Sequence, residues 1–264
     1  MYDFAYRRPT SLDEALAALA ETEEAQPLAG GQTLIPTLKQ RLAQPGVLVD
    51  LGGIGDLRGI RTLGDRIEIG AMTRHAEVAA SVDLRKAIPA LATLAGLIGD
   101  RQVRNQGTLG GSLANADPAA DYPAAVLGLG ATIHTSRHEI AADAFFTGLF
   151  ETALEPGEII TKVGFPLPER AGYAKFPNPA SRYAVVGVFV ADLGKGVRVA
   201  VTGAGPRVFR VGPMERALSA KFSPEALAGI TVPADGLNSD IHASAEYRAH
   251  LIGVMARRAV AAAS

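Results

Sequence analysis

Two stretches decide how this chain is read: LAGGQTLIP, residues 28–36, and TLGGSLANADPAADYP, residues 108–123. Each places two consecutive glycines beside a hydroxyl, Thr33 in the first and Thr108 and Ser112 in the second. A residue without a Cβ lets backbone N–H groups approach an anion closely and turn together into a concave nest. Two such loops facing one cleft suit a pyrophosphate, with the hydroxyls adding donors but no charge. Asp117 and Asp121 repel phosphate but accept hydrogen bonds from ribose or ribityl hydroxyls. Neither loop fits the GxGxxG dinucleotide pattern or the P-loop, which needs a following lysine. The lone GxG in TGAGP, 202–206, reads as a sheet turn.

Around these loops the chain reads as α+β in three units. In residues 1–55, Ser11 and Glu14 have capping-box spacing ahead of Leu12, Leu16 and Leu19 at helical spacing. QPLA (26–29) and VLVDL (47–51) are strands, and a short helix opens at Thr33 with Leu34, Leu38 and Leu42. Residues 56–170 carry a strand at 67–71, helices over 73–80 and 83–98, a turn-rich glycine-broken stretch at 105–123, and a strand at 158–165. FPLPERAG (165–172), with its two prolines, reads as a linker. Residues 171–264 open with three strands, 173–177, 184–192 and 197–202, and close on a helix from about Ser244 to Ala262. The units keep no strict βαβ rhythm, so the sheets are expected to be mixed or antiparallel.

Composition excludes several function classes. The 264 residues hold 26 Lys plus Arg against 27 Asp plus Glu, so there is no bulk attraction to nucleic acid or anionic membranes. There is no cysteine, hence no disulfide, thiolate nucleophile or Cys-ligated cluster in this polypeptide. Redox chemistry here must use an organic cofactor or a partner's metal. His134 and His138 are four apart, but ATIHTSRHEIA alternates like a strand and turn, which separates them. No GxSxG elbow surrounds Ser112. The amino terminus is too charged for a signal peptide, and no apolar run spans a bilayer, so a cytoplasmic location is expected.

The two loops, with IGAMTRHAEVA (69–79), ASRYAVVGVFVA (180–191) and SAEYRAHLIGVMARRA (244–259), resemble the FAD-binding medium subunits of molybdenum hydroxylases. That family includes aerobic carbon monoxide dehydrogenases, xanthine dehydrogenases and aldehyde oxidoreductases. The resemblance implies a two-part FAD-binding domain of the vanillyl-alcohol-oxidase/PCMH type followed by a smaller α+β domain with a three-stranded sheet. It also implies that Leu28, Ala29, Gly30, Gly31, Gln32, Thr33, Leu34 and Ile35 wrap the FAD pyrophosphate. Thr108, Leu109, Gly110, Gly111 and Ser112 form the opposing clamp, and Asp121 binds the cofactor's polar chain. Ile98 and Ile160 fall where apolar residues touch the adenine or ring. Tyr183 falls where some members place an aromatic near the isoalloxazine; the residue itself equally suits a half-buried strand tyrosine. Lys175 matches a lysine near the ring, or stands as a solvated strand lysine. In related flavoproteins with this type of domain a histidine within a glycine-rich loop often carries the flavin covalently; Gln32 follows the glycine pair here, which implies noncovalent FAD.

By the same resemblance the chain is an electron-transfer subunit of an oxidoreductase. Electrons come from a small [2Fe–2S] subunit served by a large molybdenum-cofactor subunit, within a dimer of heterotrimers, and leave to an external acceptor. A stand-alone flavin oxidoreductase and a flavin-less assembly subunit are the alternatives. The first lacks an evident acid or base, and the intact loops oppose the second.

Overall fold

The computed structural model describes residues 1–264. The chain begins with β1 (Ala5–Arg7), α1 (Leu12–Ala20), β2 (Ala25–Leu28), α2 (Leu34–Lys39) and β3 (Val47–Asp50). Ser11 caps α1 by accepting from the Glu14 N–H at 3.2 Å. The Glu14 carboxylate reaches back one residue further than a capping box requires, to the Thr10 N–H at 2.8 Å. The three strands form a parallel sheet in the order β1-β3-β2. Its small core, around Ala15, Leu19, Val49, Leu51 and Ile54, is completed by Met72 and Ile159 from later in the chain. This part therefore closes its apolar face only against the next.

The next elements are β4 (Ile60–Leu63), β5 (Arg66–Gly70), α3 (His75–Ala80), α4 (Val82–Ala87), α5 (Pro89–Gly96), α6 (Arg101–Arg104), α7 (Leu109–Asn115) and α8 (Tyr122–Leu129). They are followed by β6 (Thr132–Thr135), β7 (Glu139–Ala141), α9 (Ala142–Phe145), β8 (Phe146–Gly148), β9 (Glu151–Thr152) and β10 (Ile160–Pro166). Strands β4-β5-β10-β6-β7 make an antiparallel five-stranded sheet, and β8 pairs with β9. The single helix expected over 83–98 is two, because Pro89 has no N–H to continue α4 and instead starts α5 at its first turn. The expected loop at 108–112 is also a helix start. Thr108 caps α7 by accepting from the Gly111 N–H at 3.2 Å, which offsets the poor helix propensity of the glycines. Helix α8 is buried on every face, as its all-apolar sequence requires.

The chain ends with β11 (Arg170–Pro177), β12 (Ala184–Asp192), β13 (Val197–Thr202), β14 (Phe209–Arg210), α10 (Gly212–Ala220) and α11 (Ala245–Ala261). The sheet β11-β12-β13-β14 is antiparallel and has four strands; the expected three are joined by the two-residue β14. The linker read over 165–172 shrinks to 167–169, since β10 and β11 extend into both of its ends. One face of this sheet packs on α11 through Val186, Val188 and Val190, and Phe189 on the other face joins the core that contains α8. Arg248 of α11 is buried and donates to the carbonyls of Val185 and Gly203 at 2.7 and 3.0 Å, tying down the ends of β12 and β13. No helix is long and apolar enough to cross a membrane.

Candidate functional site

The segments that carry the two glycine pairs meet. A Cβ on Gly30 would sit 2.7 Å from the Gly107 Cα, and one on Gly111 would sit 3.2 Å from the Ala29 Cβ. The first loop, leaving β2, and the start of α7 therefore pack backbone to backbone, and larger residues cannot occupy these contacts without displacement. A cavity of about 500 Å³ opens along this seam, within the usual range for a ligand site.

Of the residues expected from the sequence, Ala29, Gly30, Gly31, Gln32, Thr33 and Leu34 line the cavity. So do Thr108, Gly110, Gly111, Ser112, Ile98, Ile160, Asp121 and Tyr183. Leu28, Ile35 and Leu109 are not among its walls. Leu28 and Ile35 stand against Gly31, and Leu109 is fully buried in the main core.

The two pairs differ in what they offer a ligand. The N–H groups of Gly30, Gly31, Gln32, Thr33 and Leu34 donate to no carbonyl of the chain, and Gly31 takes a φ of +71°, the left-handed turn that glycine permits. Those donors are available. In the second pair they are spent: Gly110 donates to the Ala71 carbonyl at 2.7 Å and Gly111 to the Thr108 hydroxyl. Its glycines are there for contact, because a Cβ on Gly110 would come within 2.9 Å of the Ala71 carbonyl oxygen. The second wall offers side chains instead. Thr108, Ser112 and Asn115 recur at helical spacing and all line the cavity. Asn115 escapes a reading that treats 108–123 as a loop; the polar stripe at three- and four-residue spacing is the signal that would find it.

The exit from α7 is held from the C-terminal sheet. Gly203 N–H donates to the Pro118 carbonyl at 2.7 Å, and Ala184 N–H to the Ala119 carbonyl at 3.2 Å. The fully buried Thr202 hydroxyl donates to the Ala120 carbonyl at 2.6 Å. The carboxylate of Asp121, 4% exposed, lies 2.8 Å from Lys175 Nζ and accepts from the Tyr173 hydroxyl at 2.5 Å. Burial pushes the Asp121 carboxyl up, while Lys175 and then Tyr173 pull it back. Lys175 is not a solvated strand lysine; its side chain is 3% exposed. Partial burial raises the Asp117 carboxyl at the cavity wall, opposed by the Ala119 N–H. Burial, with Asp117 and Asp121 adding to it, also raises the Tyr183 phenol, so it stays protonated at neutral pH. Tyr183 is 45% exposed while lining the cavity, which puts it at a solvent boundary.

His75, missed by sequence reasoning, forms part of the wall. Burial and the Arg104 cation lower it to about 4, so the ring is neutral, and its Nδ1 has no hydrogen-bond partner. His134 and His138 sit in strand β6 and the following turn, as read, each beside its own carboxylate: Glu139 at 3.0 Å and Glu158 at 3.2 Å.

Residues 2–168 match the family described as the FAD binding domain in molybdopterin dehydrogenase. This chain belongs to that family. The nicotine 6-hydroxylase medium subunit of Paenarthrobacter nicotinovorans is 38% identical over 97% of this chain and 95% of its own. The carbon monoxide dehydrogenase medium chain of Afipia carboxidovorans is also 38% identical, again over 97% and 95%. In three dimensions the chain superimposes on a chain of reconstituted CO dehydrogenase from Oligotropha carboxidovorans with a TM-score of 0.89 and 35% identity, covering 99% of this chain and 97% of that one. Its relatives are dehydrogenase and hydroxylase subunits, and the cavity is lined by the FAD-binding domain except for Ser181, Arg182 and Tyr183, which lie beyond residue 168.

Proposed function

We propose that this chain is the FAD-carrying electron-transfer subunit of a molybdenum-containing hydroxylase or dehydrogenase. The carrying observation is the seam between the two glycine pairs, with a row of unspent amides on one wall and a polar helix stripe on the other. The donor set fits FAD: Gly30 to Thr33 would hold the pyrophosphate through N–H groups, as anions are held at nests. Thr108, Ser112 and Asn115 would hold it from the facing wall, Gly110 and Gly111 giving the close approach. A carboxylate has about four acceptor positions, and Asp121 uses two, one for Tyr173 and one for Lys175, which leaves acceptor capacity for a ribityl hydroxyl. Ile98 and Ile160 would supply the apolar contacts, and Tyr183 would cover the exposed edge. When bound, FAD takes up electrons singly and passes them on singly or in pairs.

The units 1–55, 56–170 and 171–264 divide this work: free amides, the facing wall, and the support that carries Tyr183. With no cysteine, the chain holds no Cys-ligated cluster of its own, and the family resemblance implies that electrons arrive from a [2Fe–2S] cluster in a small subunit, itself served by a large molybdenum subunit. The family's dimer of heterotrimers is the expected assembly. The test is spectral. Purified chain should be yellow with a flavin band near 450 nm, and in the copurified complex that band should bleach when the complex's substrate is added. A colourless chain that takes up no FAD on reconstitution sinks the reading.

A further inference from the structure

Lys175 has three N–H donors, and all have acceptors inside the protein. Asp121 Oδ2 is at 3.0 Å, the Leu97 carbonyl at 2.9 Å and the Arg182 carbonyl at 2.9 Å. Leu97 and Asp121 belong to the five-stranded part of the molecule, whereas Lys175 and Arg182 belong to the C-terminal sheet and its β11–β12 turn. That turn is internally braced: Asn178 Oδ1 accepts from Ala180 N–H at 2.9 Å and Ser181 N–H at 3.1 Å. The Asn178 N–H in turn donates to the Tyr183 carbonyl at 2.8 Å. Arg182 is held at a φ of +63°, a conformation unfavourable for a bulky residue unless its surroundings enforce it. Two contacts enforce it. Its carbonyl accepts from Lys175, and its guanidinium donates to the Gly99 carbonyl at 3.2 Å. Ser181, Arg182 and Tyr183 then line the cavity, while Lys175 does not.

We propose that Lys175 is a positioning residue: it fastens the Ser181–Tyr183 turn to Leu97 and Asp121, and so sets where Tyr183 stands at the mouth of the cavity. Its ammonium is neutralised by Asp121 and its donors are spent, so it acts on a bound molecule through the turn and not by direct contact. The proposal takes the cavity as the flavin site only in naming what Tyr183 faces. The fastening itself is a property of the flavin-free chain.

Hydrogen exchange on the full, flavin-free chain tests it. Lys175→Met leaves Asp121 a buried unpaired charge and risks unfolding, so Lys175→Met/Asp121→Asn, which removes both charges, is the deciding variant. The amides of Arg182, Tyr183 and Ala184 are hydrogen-bonded. In the double variant they should exchange at least about tenfold faster relative to the amides of 186–190 in the strand core. Unchanged exchange at 182–184, or equal acceleration in the strand core, overturns the proposal whether or not FAD binds. In loaded protein, Lys175→Met/Asp121→Asn should shift the flavin reduction potential when Tyr183 is present and leave it unshifted in a Tyr183→Leu background. An equal shift in both backgrounds means direct charge contact and overturns it.

Discussion

Gly30 and Gly107 lie so close that a Cβ on the first would stand 2.7 Å from the Cα of the second. The contact joins the parallel-sheet part of the chain to the five-stranded part at the edge of the cavity. Gly30→Ala must part the two backbones, at a cost of about 1–3 kcal/mol as for other overpacked contacts. The expected outcome is loss of most bound FAD and a lowered melting temperature, read from the 450 nm to 280 nm ratio and a thermal melt. Wild-type flavin content in this variant would show that the seam does not shape the site.

Gly111→Val should abolish flavin retention. A Cβ there already crowds the Thr108 hydroxyl at 2.9 Å and the Ala29 Cβ at 3.2 Å, and branching adds bulk toward the first loop. Gly55→Ala is the control, because nothing lies within 4 Å of that Cβ position. Equal flavin content in the two variants would count against a contact role for the second pair.

Tyr183→Phe keeps the ring and removes a phenol that is protonated at neutral pH. FAD affinity, measured by titration, should change less than about fivefold, since one partly exposed hydrogen bond is worth at most about 1 kcal/mol. The rate of flavin reoxidation should change instead. Complete flavin loss would assign Tyr183 to the support of the fold.

His75 links stability to pH. Its folded value of about 4 lies below the unfolded value of 6.5, so the unfolded chain binds the proton first as pH falls. The stability held by the neutral ring is full above about pH 6.5, declines as pH falls and is lost by about pH 4. Urea denaturation at pH 7 and pH 4.5 should show His75→Gln losing about 2–3 kcal/mol less than wild type across that interval. Parallel losses would mean that His75 titrates normally.

Gln32 stands after the first glycine pair, and its amide has no nucleophilic nitrogen to bond a flavin covalently. Acid precipitation should therefore release all the flavin to the supernatant; flavin left in the pellet would mean a covalent bond through another residue.

Much of this protein was legible from residue patterns. Ser11 announced a helix start and the alternation in ATIHTSRHEIA marked a strand and turn, whereas periodicity ran through the helix boundary at Pro89. Loop-like composition misled at 108–115, because a threonine cap and tertiary contacts outweigh the helix penalty of two glycines. Leu109 was drawn in with its motif, yet it points into the core, since neighbours on a helix face different ways. His75 and Asn115 were missed because each gains its meaning from what folds beside it.

By itself the sequence determined which chemistry the chain can and cannot carry. The glycine pairs, the hydroxyls and the absence of cysteine are properties of side-chain inventory, and no fold alters them. Only the tertiary structure decided how the two pairs divide their work, and what Lys175 is bound to. Whether an amide is free or spent, and whether a lysine meets water or three buried acceptors, depends on neighbours distant in sequence. Those neighbours are chosen by burial of the apolar core as a whole, not by any local pattern.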